Sequence, residues 1–110
     1  MSYSALVTEL KAIKGIKFAE YEWETRPAGN FGTVQLDFEV DPDTGDDHKQ
    51  NRGWQGSVDV YTHGKEMLIL AAVESALESV CGSCWELNSD VHEHETGLIH
   101  REFVFEVDER

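Results

Sequence analysis

The chain has 110 residues, 40% of them apolar, and 22 acidic against 9 basic side chains leave a formal net charge of −13. That length makes one domain, residues 1–110, able to bury roughly 65% of its unfolded surface, and no apolar run nears the ~20 residues that cross a bilayer. A surface this acidic repels nucleic acid and anionic membranes.

The N-terminus lacks a basic-then-apolar leader, and two cysteines close together make no disulfide framework, so the expectation is a soluble chain made in the cytosol. Tyr3, Leu6, Leu10 and Ile13 share one helical face. Ser2 or Ser4 can cap it, Gly15 can stop it, and Lys11 and Lys14 suit the negative end of its dipole. Residues 16–23 read as a strand, and 24–30, with Pro27 and Gly29, as a loop. Val34, Leu36, Phe38 and Val40 alternate with Gln35, Asp37 and Glu39, a second strand with one apolar face. Residues 41–53 are almost without apolar content and form a long polar hairpin loop.

The centre of the pattern is residues 52–80. Trp54, Gly56, Val58 and Val60 alternate with Gln55, Ser57, Asp59 and Tyr61, so the third strand is half-buried. From Lys65 the period becomes helical: Ile69, Val73, Leu77 and Val80 form a stripe that Met67, Leu70 and Ala76 widen. Thr62 is the expected N-cap, with Glu66 near the positive end of the dipole. Trp54, Val58, Val60, Ile69, Val73 and Leu77 are therefore core positions, joined later by Phe103 and Phe105. A strand with one apolar face and a helix with one apolar stripe can bury both only against each other.

Gly82 and Ser83 stop the helix. Trp85, Leu87, Ser89 and Val91 then alternate with polar residues, as do Arg101, Phe103, Phe105 and Val107. A three-residue loop at Glu95-Thr96-Gly97 predicts that Leu87 faces Phe105, Trp85 faces Val107, Asp90 faces Glu102 and His92 faces His100. The element order is α-β-β-β-α-β-β. The fold expected is α+β, an antiparallel sheet of about five strands with both helices on one face. The other face would carry Asp37, Glu39, Asp59, Glu86, Asp90, Glu102 and Glu106.

Cys81, Cys84, His92 and His94 have zinc-like spacing, but a strand from 84 to 92 would set its ends ~26 Å apart. A redox pair is disfavoured as well, because these cysteines follow a helix C-terminus, where the dipole opposes thiolate. His92, His94 and His100 on one hairpin face could bind a metal or sense pH, although solvated histidines are the commoner outcome. His92-Glu93-His94-Glu95 is not the zinc-helix motif, since its second histidine comes too soon. Residues 41–47 resemble a calcium loop in composition only, with glycine in the wrong place. No nucleophile elbow, phosphate-cradling loop or dinucleotide fingerprint occurs. No enzyme, metal or cofactor is expected.

Several stretches together resemble the small tail-completion, or tail-terminator, proteins of long-tailed bacteriophages and prophages. They are the opening helix with Ala5-Leu6-Val7, the loop Arg26-Pro27-Ala28-Gly29 leading into Phe31-Gly32-Thr33-Val34-Gln35-Leu36, and Gly56-Ser57-Val58-Asp59-Val60-Tyr61. The helix ending Ala72-Val73-Glu74-Ser75-Ala76-Leu77 and the hairpin from Glu95 through Val107 complete the likeness. The acidic insert at 41–53 and the acidic sheet face depart from it. The resemblance implies a non-enzymatic virion part assembled in the bacterial cytoplasm. It would form a ring, usually a hexamer, that caps the tail tube and meets the head connector. Asp37, Glu39, Asp41, Asp43, Asp46, Asp47 and Asp59 are then candidates for a channel wall or an interface. The other reading is an acidic, DNA-mimicking inhibitor of a basic protein.

Overall fold

A computed structural model describes residues 2–40 and 53–110, in the order α1 (Tyr3–Lys11), β1 (Lys17–Glu20), β2 (Phe31–Glu39), β3 (Trp54–Thr62), α2 (Met67–Cys81), β4 (Trp85–His92) and β5 (Ile99–Val107). The fold is α+β. A five-stranded sheet in the order β1-β2-β3-β5-β4 carries both helices on one face. Ser2 caps α1, its hydroxyl accepting from the Ala5 amide at 3.1 Å. This satisfies one of the amides that the first turn leaves unpaired. Leu6 and Leu10 of α1, Val73 and Leu77 of α2, Val34, Val58 and Val60 of the sheet, and Phe103 and Phe105 of β5 are all essentially sealed from solvent. Trp54 is half-buried at the margin of this core, with the Arg110 guanidinium 5.0 Å above its ring.

The sheet is mixed, not wholly antiparallel. β1 is shorter than the expected 16–23 and runs parallel to β2, with Lys17 beside Phe31 and Glu20 beside Val34. A parallel neighbour requires the connection to return along the sheet instead of turning back at once. Residues 21–30 do this. Tyr21, at φ 69°, turns the chain, the Trp23 indole donates to the Gly32 carbonyl at 3.0 Å, and Arg26 lies over Phe31 and Tyr61.

Two β-bulges reset which residues share a face. In β2 the pairing passes from Leu36–Gly56 to Phe38–Gln55, leaving Asp37 as the extra residue. Phe38 thereby turns outward, 54% exposed, and Glu39 falls opposite Trp54. In β4 the pairing passes from Leu87–Phe103 to Ser89–Glu102, with Asn88 extra. The hairpin also closes one residue earlier than the sequence suggests. The Glu93 amide donates to the Leu98 carbonyl at 2.8 Å, so the loop has four residues, not three. The one-residue shift places Asp90 opposite Arg101, and shift and bulge together place Trp85 opposite Phe105. The expected Asp90–Glu102 repulsion is thus replaced by an ion pair, Arg101 Nε to Asp90 Oδ2 at 3.3 Å.

The start of α2 differs too. Thr62 is the last residue of β3, fully buried, and its hydroxyl donates to the Gly64 carbonyl at 2.6 Å. Glu66, in the left-handed region, occupies the cap position without a side-chain hydrogen bond. Met67 and Leu68 stand outside the stripe, 64% and 88% exposed. The residues of α2 that do pack begin at Ile69.

Candidate functional site

The face of the sheet opposite the helices is the candidate surface, and cross-strand register decides what it displays. Phe31 of β2, Tyr61 of β3 and His100 of β5 are direct neighbours in one row across the strands. Their rings stack, Phe31 on Tyr61 at 4.8 Å and Tyr61 on His100 at 4.2 Å. The Arg26 guanidinium caps the row, 5.2 Å from the Phe31 centroid and 5.5 Å from that of Tyr61, a cation–π arrangement. The loop holding Arg26 is itself anchored. Asn30 donates to the Gly15 carbonyl and accepts from the His63 amide, and the His63 ring meets the Ala28 carbonyl at 3.1 Å.

His100 also sits among acids. Its Nε2 is 2.7 Å from Asp59 Oδ1, and its Nδ1 is 3.6 Å from Glu93 Oε2. Burial pushes the Asp59 carboxyl above its ordinary range; the hydrogen bond and charge of His100 pull it back, while Glu102 and Asp37 push it further up. The Tyr61 hydroxyl is raised as well, first by burial and then by the nearby Asp59. Glu102 accepts from the Asn88 amide at 2.9 Å, and Asp37 accepts from Gln35.

The expected acidic face is therefore only partly assembled. Asp59, Glu86, Glu102 and Glu106 share the open face, as alternation along paired strands requires. The earlier closure of the hairpin turns Asp90 to the helix side and the β2 bulge turns Glu39 there, and Val91 and Phe38 come to the open side in their place. Asp41, Asp43, Asp46 and Asp47 lie outside the described residues. A shallow groove of about 630 Å³ opens on the same face between Gln55, Glu86, Asn88, Val104 and Glu106.

The histidines do not converge. His100 pairs with Val91 and His92 with Ile99, so the two rings point to opposite faces of the hairpin. His92 stacks instead on His94, with centroids 5.9 Å apart. The eight residues of β4 separate Cys84 from His92. Cys81 is buried, its thiol pushed up to about 12 by that burial, and Cys84 is exposed. No group of three or more histidine, cysteine or acidic side chains placed to hold a metal occurs among the described residues. None of their helices is long and apolar enough to cross a membrane.

Sequence reasoning missed the Phe31–Tyr61–His100 row. Phe31 lies just before the alternation of β2, and alternation marks Tyr61 only as one of the outward residues of β3. The usable signal was the pairing of β3 with β5, which no local pattern encodes.

No family model matches the chain, and no curated protein does. The fold is similar to that of a chain in a structure titled "Virion of native gene transfer agent (GTA) particle", with a TM-score of 0.51 over 94% of this chain and 90% of that one. At 15% identity, the likeness is one of fold.

Proposed function

We propose that the chain is a non-enzymatic structural protein of a phage or prophage virion. It acts as the tail-completion, or terminator, ring that caps the tail tube and joins it to the head connector. The observation that carries this reading is the fold shared, over nearly the whole chain, with a chain of a gene transfer agent virion particle. The order of elements, the anchored loop carrying Arg26 and the final hairpin agree with the family resemblance of the sequence. Its partners are further copies of itself, as a hexamer, together with tail-tube and head-connector proteins. It is assembled in the host cytoplasm and resides in the tail.

The open face suits a ring through which DNA passes. Asp59, Glu86, Glu102 and Glu106 present carboxylates, which repel phosphates. Asp37 and the acidic residues Asp41, Asp43, Asp46 and Asp47 would extend that wall or form the contact with the connector.

Deleting the gene from the virus or prophage that encodes it tests the reading. The expected particles are unjoined heads and tails of unregulated length, and mass spectrometry of wild-type tails should find the chain. Normal tailed particles from the deletion strain would overturn it.

A further inference from the structure

At one end of the sheet its two edges carry opposite charge. At the β1 edge, Lys11 closes α1, Lys14 lies in the following turn and Lys17 opens the strand; all three are exposed, and none forms an ion pair among the described residues. These are three of the chain's 9 basic residues, gathered at one end of one edge strand. At the other edge, the C-terminal end of β4 and the loop after it carry Asp90, Glu93 and Glu95. On this eight-residue strand Leu87 and Val91 are 45% and 50% exposed, and β5 is its only neighbour among the described strands. Exposed edges of this kind are templates for pairing with another chain.

We infer that a second copy of this chain docks its β1 edge against the β4 edge of the first, head to tail, with Lys14 and Lys17 meeting Asp90, Glu93 and Glu95. This rests on the ring reading above and names its interface. The directions of the strands agree with it. β1 and β2 run one way, β3 the other, β5 with β1, and β4 against it. Copies related by rotation about an axis along the strands therefore bring β4 antiparallel to the next β1. Only that sense sets the lysine end of β1 beside the acidic end of β4, and it sets Glu20 beside the uncharged Leu87–Asn88 segment. A parallel junction would place Glu20 beside Asp90 and Glu93. Lys17 and Glu93 also match by face. Lys17 pairs with Phe31, and Glu93 reaches His100, so both belong to the open face. A heterologous contact of this kind closes into a ring when its rotation divides the circle. The sheets then form a continuous wall.

Two measurements test it. Sedimentation equilibrium of the full chain over rising concentration, at low and high salt, should show self-association that salt weakens. Reversing either patch, by Lys14→Glu with Lys17→Glu or by Glu93→Lys with Glu95→Lys, should weaken it roughly tenfold to thirtyfold while circular dichroism stays that of the wild type. Mixing the two variants should restore association, because each then offers an edge complementary to the other. Zero-length carbodiimide cross-linking of mixed isotope-labelled wild-type chains should join Lys14 or Lys17 of one copy to Asp90, Glu93 or Glu95 of another. A wild type monomeric at every concentration, or one whose association ignores both reversals and yields no such cross-link, would overturn the edge pairing. Either result leaves the virion reading to be judged by the deletion particles.

Discussion

Gly56→Ala probes a close approach between neighbouring strands of the sheet. Gly56 sits on the helix side of β3, between Leu36 of β2 and Phe105 of β5. A Cβ at this position would run into the Gln35 carbonyl oxygen and come within 2.6 Å of Phe105 Cζ and 3.1 Å of its Cε1. Neither obstacle can step aside cheaply. The carbonyl belongs to the backbone of the adjacent strand, and the Phe105 ring is 2% exposed in the core. Overpacking of this sort costs typically 1–3 kcal/mol, and two rigid neighbours put this position at about 3 kcal/mol or more. Against a total of ~5–15 kcal/mol for a small domain, that is a large fraction. The melting temperature should fall by roughly 10–20 °C. Urea melts followed by tryptophan fluorescence measure it, with Gly64→Ala as the control. Nothing lies within 4 Å of a Cβ at Gly64, and that change should stay within ~0.5 kcal/mol. In a Phe105→Ala background, itself costing about 3–5 kcal/mol, the Gly56→Ala penalty should shrink by about 1 kcal/mol, because the ring is gone and the carbonyl remains. A Gly56→Ala protein within ~0.5 kcal/mol of wild type would refute the packing of β3 between β2 and β5.

Asp59→Asn tests the acid beside His100. Its folded pKa is raised, so the folded state holds the proton more tightly than the unfolded chain, and the wild type should lose stability as pH rises from the ordinary Asp value of 3.8 through the folded one. The Asn protein lacks that loss, so denaturant melts across this window should move the difference in its favour as pH rises; a pH-independent difference would contradict the raised pKa. Ser2→Ala should cost about 1 kcal/mol by removing the N-cap of α1, seen as a shift of the urea midpoint; an unchanged midpoint would show that the cap contributes nothing. Val73→Ala, at a position sealed from solvent, should cost roughly 2–3 kcal/mol, whereas Leu68→Ala, at 88% exposure, should fall within ~0.5 kcal/mol. Equal costs would mean that the phase of α2 is wrong.

Local pattern was enough to determine the elements and most of the core. Period-two alternation in β3 and β5, and a 3.6-residue stripe from Ile69 to Val80, are properties of the chain that any apolar core will use. They identified Val58, Val60, Phe103 and Phe105 on the strands and Ile69, Val73 and Leu77 on α2, and all seven lie buried. The element order and the placement of both helices on one side followed, because each amphipathic surface has only the others to cover it.

Register, direction and face were decided by tertiary structure. Nothing in residues 16–23 says whether they run with or against residues 31–39, since a strand's alternation is the same read either way. The parallel outcome depends on the loop 21–30 finding anchors at Gly32 and over Phe31. The bulges at Asp37 and Asn88 each exchange the two faces of the strand across them, which in β2 turns Phe38 outward. The four-residue loop is why Asp90 found Arg101 instead of Glu102, and why His92 and His100 parted. The stack of Phe31, Tyr61 and His100 draws on three strands separated by as many as 69 positions in the chain. Only the folded sheet brings them into one row.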